Sequence, residues 1–149
     1  MWQKARLEFY SAISEMCAGL YQEDPSPDVD PQKNIQLTLA TFANQPIRGV
    51  ALVYLDRNVP VAYALLSAFW SNELGGEVCT IDELFTKKEF RSRGIAKDLF
   101  AQLSGPSDLW PVNTVALELE VSPINKRSRA LYEKMGFSAI KNSLLRKKL

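Results

Sequence analysis

The 149-residue chain contains no histidine. Serine–histidine–aspartate and cysteine–histidine nucleophilic schemes are therefore excluded, as are most catalytic metal sites. Any proton transfer has to use Asp, Glu, Tyr, Lys, Cys or the backbone. Cysteine is scarce as well: Cys17 and Cys79 lie far apart, and neither belongs to a Cys-x-x-Cys pair. Structural zinc and a disulfide framework are not expected; buried thiols in a reducing cytoplasm are. Net charge is also nearly absent, at +1. Neither nucleic acid nor a membrane surface is expected as the main partner. The longest apolar run, Val59 to Trp70, falls short of the ~20 residues that span a bilayer. The first residues carry Lys4, Arg6 and Glu8 and no signal-peptide core, so a cytoplasmic location is expected. Two phosphate fingerprints are missing too, Gly-x-Gly-x-x-Gly and Gly-Lys-Ser/Thr.

What is present is the make-up of an ordinary globular chain, 46% hydrophobic and 23% charged. Its length suits a single domain over residues 1–149 with a sizeable core. Leu7, Tyr10, Ile13, Met16, Cys17 and Leu20 recur at helical spacing and predict a helix from about Leu7 to Tyr21. Met1 to Ala5 before it is a short strand or a disordered end. Prolines and acids make Glu23 to Pro31 a loop. Asp30 is placed to cap a second helix with Pro31 in its first position, running to about Asn44. Gly49 to Leu55 and Val59 to Trp70 read as an antiparallel hairpin turning at Asp56-Arg57-Asn58, with both strands buried on both faces. A central strand then starts at Val78 and runs to Thr86, and a helix follows Ala96 and fades by Ser104. Thr114 to Val121 alternates Val115, Leu117, Leu119 and Val121 against Thr114, Glu118 and Glu120 and predicts another strand. A last helix starts at Ser122 or Asn125 and ends at Gly136; Phe137 to Ile140 and Ser143 to Leu149 read as closing strands. The predicted fold is α/β (α+β), one mixed sheet with helices on both faces.

The chemistry concentrates between the central strand and the helix after it. Gly94 allows a turn or a close backbone approach that a side chain would block. The first N–H groups of the following helix have no partner inside it, and the helix dipole adds to their pull on an anion. With Arg91 and Arg93 beside them, this strand–turn–helix can cradle a phosphate or pyrophosphate. Further on stand Val121-Ser122-Pro123-Ile124-Asn125, Ser128 and Ala130-Leu131-Tyr132-Glu133-Lys134-Met135-Gly136-Phe137. Together with Arg91-x-x-Gly94-x-Ala96, this pair of motifs resembles the GNAT superfamily of N-acetyltransferases. The resemblance covers Gly49 to the C-terminus well and the first two helices loosely. Ser128 departs from the usual alanine, Lys88 from a frequent proline and Thr86 from a frequent valine.

The resemblance implies acetyl-CoA held between two splayed parallel strands, ending here at Thr86 and Val121. It implies backbone contacts from Leu84, Phe85 and Thr86 to the pantetheine arm. Arg91, Ser92, Arg93, Gly94, Ile95 and Ala96 would hold the pyrophosphate, mainly by backbone N–H groups, and Asn125 would touch the pantetheine. Tyr132 would sit near the sulfur, and a phenol with an ordinary pKa of about 10 can protonate a departing thiolate. For the base, Asp82 and Glu83 face opposite ways on a strand. Ile81 and Phe85 are expected on Glu83's face, and Thr80, Leu84 and Thr86 on Asp82's. Asp82 is thus the first choice and Glu83 the reserve. Phe69, Trp70, Asn72 and Glu73 are the expected wall of the acceptor pocket, and Lys141, Arg146, Lys147 and Lys148 a solvated edge. The function expected is acetyl transfer from acetyl-CoA to a primary amine of a small molecule, without a metal. A protein or peptide acceptor, a non-catalytic coenzyme A sensor or partner subunit, and an interaction module are the competing readings. A sheet edge near the C-terminus suits a homodimer.

Overall fold

The computed structural model describes residues 1–25, 30–110, 113–142 and 144–147. Among them, one sheet of five strands runs in the order β1-β2-β3-β4-β5. The strands are β1 (Trp2–Lys4), β2 (Gly49–Asp56), β3 (Val59–Ser71), β4 (Gly76–Thr86) and β5 (Thr114–Leu119). Pairing is antiparallel from β1 to β4 and parallel between β4 and β5. The helices are α1 (Tyr10–Glu23), α2 (Pro31–Asn44), α3 (Ile95–Leu103) and α4 (Lys126–Lys134). Short 3-10 turns at Leu7–Phe9 and Lys88–Phe90 precede α1 and α3.

β2 and β3 are buried on both faces because alternate side chains enter two cores. Leu52, Ala64 and Leu66 pack with Ile95, Leu99 and Phe100 of α3. Val53, Tyr63 and Leu65 pack with Ile13, Met16 and Cys17 of α1 and Leu39 of α2. The hairpin between them turns at Arg57 and Asn58, both at positive φ, as a two-residue turn between twisted strands requires. Asp30 caps α2 by accepting from the Lys33 N–H at 3.1 Å, with Pro31 in the first turn. At the N-terminus, three residues suffice for a strand because Trp2 is buried and donates from its indole to the Ile95 carbonyl at 3.0 Å. That bond ties the sheet edge to the start of α3.

Three expectations change. The described parts of Phe137 to Ile140 and Ser143 to Leu149 form no strand; Ser143, Lys148 and Leu149 lie outside the described residues. Phe137 packs on Phe100 and Tyr132, whereas Ile140, Leu144 and Leu145 are exposed. β5 ends at Leu119 rather than Val121, where its pairing with β4 stops. Val115 leaves the apolar face, being 55% exposed. It is the extra residue of a register shift, since Glu77 pairs Thr114 and Val78 pairs Ala116.

Candidate active site

The decisive local feature is a second bulge, in β4. Leu66 pairs Ile81 and Leu65 pairs Glu83, so Asp82 is left without a partner on β3. An extra residue reverses the facing of everything beyond it. Ile81 joins the α3-side core, while Phe85 joins the α1-side core. Leu84 packs on the α3 side. The expectation that Ile81 and Phe85 share one face is therefore overturned. Alternation counted along the sequence cannot see an unpaired residue.

The bulge coincides with a parting of strands. Parallel pairing between β4 and β5 ends at Ile81 and Leu119, while β4 continues to Thr86. From Asp82 to Thr86 the β5-facing edge has no strand against it among the described residues, a length of about 13 Å at ~3.3 Å per residue. Leu84, Phe85 and Thr86 lie on this edge. The Thr86 carbonyl accepts from Arg91, and the backbone groups of this edge that make no bond within the sheet face an opening long enough for an extended ligand.

At the end of the open edge stands the loop before α3. Ser92 and Gly94 both adopt left-handed backbone, at φ 64° and 81°. Successive N–H groups in such a turn converge on a concave anion site. No side chain caps α3, so its first N–H groups keep their pull on an anion. A Cβ placed on Gly94 would meet no atom within 4 Å. Backbone groups, rather than the arginines, shape the cradle. Arg91 donates from Nε to the Thr86 carbonyl at 2.7 Å and from Nη2 to Glu23 Oε1 at 2.8 Å, with its guanidinium 5.4 Å from the Phe85 ring centre. Arg93 donates to the Glu89 carbonyl at 2.9 Å and lies over Phe90. From α4, Arg127 donates to Ser92 Oγ at 3.3 Å, linking the two motifs. Open edge and uncapped loop together fit an extended ligand that carries an anionic group at one end.

This geometry has a family. The model of the acetyltransferase (GNAT) family matches residues 9–137. The chain belongs to the GNAT acetyltransferase family. A possible acetyltransferase from Clostridium difficile 630 superposes with TM-score 0.82 at 21% identity, covering 100% of this chain and 97% of that one. A predicted acetyltransferase from Clostridium acetobutylicum, crystallised with acetyl-CoA, gives 0.75 at 19% identity over 99% and 95%. An aminoglycoside N-acetyltransferase in complex with CoA gives 0.70 at 18% identity over 99% and 93%. No curated protein matches the chain. These likenesses show the fold, and the GNAT model places the chain among enzymes of acetyl transfer.

The two GNAT carboxylates of β4 differ sharply. Asp82 reaches solvent, yet the protein around its carboxyl raises the pKa, first by burial and then through the charge of Glu120, with Arg146 opposing. Glu120 directly follows β5, so both carboxylates stand where the strands part. The sequence reading assigned Glu120 no role; its place opposite the apolar half of β5 was the available signal. Glu83 is half-buried against α1. It accepts from Tyr63 Oη at 2.7 Å on one oxygen and from Tyr21 Oη at 2.9 Å on the other. Burial raises its pKa, the two phenols pull it back, and Asp82 raises it again. Burial also pushes both phenols upward, and the Cys17 thiol to about 11, so these donors stay protonated at neutral pH.

Tyr132 sits on α4 in an aromatic triad with Phe100 and Phe137, ring centres 5.9 Å away in each case. Burial raises its pKa, and no described residue bonds its hydroxyl. Asn125 uses its Oδ1 to cap α4, accepting from the Ser128 N–H at 3.1 Å. Phe69 and Trp70 line a cavity of about 650 Å3 with Tyr10, Phe42, Glu77 and Trp110, at the Gly76 end of β4. Asn72 and Glu73 are exposed in the loop beyond, and the cavity includes none of Asp82, Glu83 and Tyr132. Glu77, which pairs Trp70, is about 16 Å along the strand from Asp82 at ~3.3 Å per residue.

Proposed function

We propose that the protein transfers the acetyl group of acetyl-CoA to a primary amine of a small molecule by direct attack. The observation that carries this reading is the open β4 edge leading into an uncapped α3 loop, within a chain of the GNAT family. The pantetheine arm lies along Leu84, Phe85 and Thr86 with Asn125 beside it, and Arg91 to Ala96 receive the pyrophosphate. The donor supplies an activated acyl carbon. Asp82 takes the proton from the acceptor's ammonium, directly or through a water, and Glu120 helps by keeping that carboxylate basic. Backbone donors on β4 polarise the carbonyl. Tyr132 hands its proton to the departing thiolate, and the protein is left to recover it from solvent.

The acceptor assignment draws on the carboxylates at the strand parting and on the GNAT relative that acetylates aminoglycosides. Phe69 and Trp70 near the end of β3, with Asn72 and Glu73 in the loop after it, stand toward the Gly76 end of β4, and we assign the acceptor wall instead to the neighbourhood of Asp82 and Glu120. A thiol-release assay over a panel of small amines tests the reading. Turnover of at least one amine, abolished by omitting acetyl-CoA, is expected; tight acetyl-CoA binding with no acceptor among amines or peptides would favour a non-catalytic coenzyme A sensor.

A further inference from the structure

The last turn of α1 touches both ends of the open β4 edge. Tyr21 donates to Glu83 Oε1 at 2.9 Å, and Glu83 directly follows the bulge residue Asp82. Two residues later, Glu23 accepts from Arg91 Nη2 at 2.8 Å and lies 3.9 Å from Lys88 Nζ. Arg91 in turn grips the Thr86 carbonyl, the last residue of β4. Apolar packing already holds α1 on the sheet through Ile13, Met16 and Cys17. The polar contacts of its last turn go instead to the two segments that the reaction uses.

We propose that Tyr21 and Glu23 are positioning residues, Tyr21 for the base Asp82 and Glu23 for the N–H cradle of the donor. Tyr21, with Tyr63 on the other oxygen, clasps Glu83 against α1 and so keeps the bulge closed and Asp82 turned to the strand parting. A carboxylate with both oxygens clasped has no freedom to rotate, and the adjoining backbone inherits that restraint. Glu23 fixes Arg91, and with it the path from Thr86 to Gly94 that sets the N–H cradle. The groups facing Glu83 are Cys17 and Tyr21 from α1, Tyr63 from β3 and its neighbour Asp82. Only the phenols and the thiol can donate, so they favour its ionised form.

The proposal rests on the acetyl-transfer reading, and the test separates the two. Acetyl-CoA affinity, kcat and KM are measured for the whole protein, Tyr21→Phe and Glu23→Gln, with Tm as a check on folding. Glu23→Gln is expected to weaken acetyl-CoA binding about tenfold with kcat at saturating donor unchanged. Tyr21→Phe is expected to leave acetyl-CoA affinity unchanged and to lower kcat about tenfold. Parallel losses in both variants that follow Tm would make the turn ordinary packing and overturn the proposal, as would no change in either. Failure of the unaltered protein to bind acetyl-CoA would overturn the reading beneath it.

Discussion

Replacing Gly94 with alanine separates the cradle from the scaffold. Gly94 has φ 81°, where an L-residue costs roughly 1–2 kcal/mol. The added Cβ meets no atom within 4 Å, so no clash adds to that cost. For a chain of this size, roughly 1–2 kcal/mol corresponds to a Tm loss of about 2–8 °C. The methyl group enters open space at the residue that caps α3, where the proposed diphosphate has to come close. A tenfold weaker grip is ~1.4 kcal/mol. At a donor concentration of about a hundred times Kd, the unaltered protein gains ~2.7 kcal/mol from binding; after a tenfold loss it gains ~1.4. Thermal melts with and without acetyl-CoA should therefore show the ligand-induced shift cut to about half. Gly49→Ala is the control. Its Cβ would fall 2.5 Å from the Phe42 ring and closer still to the Leu66 carbonyl oxygen, and neither residue belongs to the loop. It should lower Tm more than Gly94→Ala and leave acetyl-CoA affinity intact in the folded fraction. An undiminished ligand shift in Gly94→Ala would refute the assignment of this loop.

Tyr132→Phe should lower kcat about a hundredfold with acetyl-CoA affinity unchanged. Its Tm should hardly move, because the ring keeps its contacts with Phe100 and Phe137; unchanged turnover would return Tyr132 to a packing role. Glu23 has a lowered pKa, chiefly from the Arg91 hydrogen bond. The stability it contributes is present above the ordinary carboxylate pKa of about 4.3 and lost as pH falls through its lower folded value, so Glu23→Gln should flatten the acid end of a Tm–pH curve. Asp82 has the opposite sign: its raised folded pKa makes stability fall as pH rises from about 3.9 through that value, and Asp82→Asn should remove this decline. Leu99→Ala, at a fully buried α3 position between sheet and helix, should cost about 2–5 kcal/mol in chemical denaturation without altering donor affinity.

Helices and strands were legible where a local rule wrote them. Asp30-Pro31 announces α2, and Asp56-Arg57-Asn58 turns the hairpin, because capping and turn chemistry act between near neighbours. Both GNAT motifs were legible for the same reason: glycine and a helix start have to follow one another in sequence to make a cradle. The closing strands were misread because an apolar segment becomes a strand only when an edge receives it, and Ile140, Leu144 and Leu145 stay exposed. The facing of Ile81 was misread because one unpaired residue, Asp82, shifts the count.

By itself the sequence determined that histidine chemistry is closed to this protein, and its two motifs, Arg91 to Ala96 and Val121 to Phe137, carried the resemblance to the GNAT family. Tertiary structure alone decided which carboxylate meets the strand parting, that Tyr21 and Tyr63 clasp Glu83, and that Phe69 and Trp70 line a cavity with Tyr10, Phe42 and Trp110. The physical reason is range. Backbone conformation is set by residues a few places apart, whereas the environment of a side chain depends on strands and helices that the chain brings together from 20 to 90 positions away.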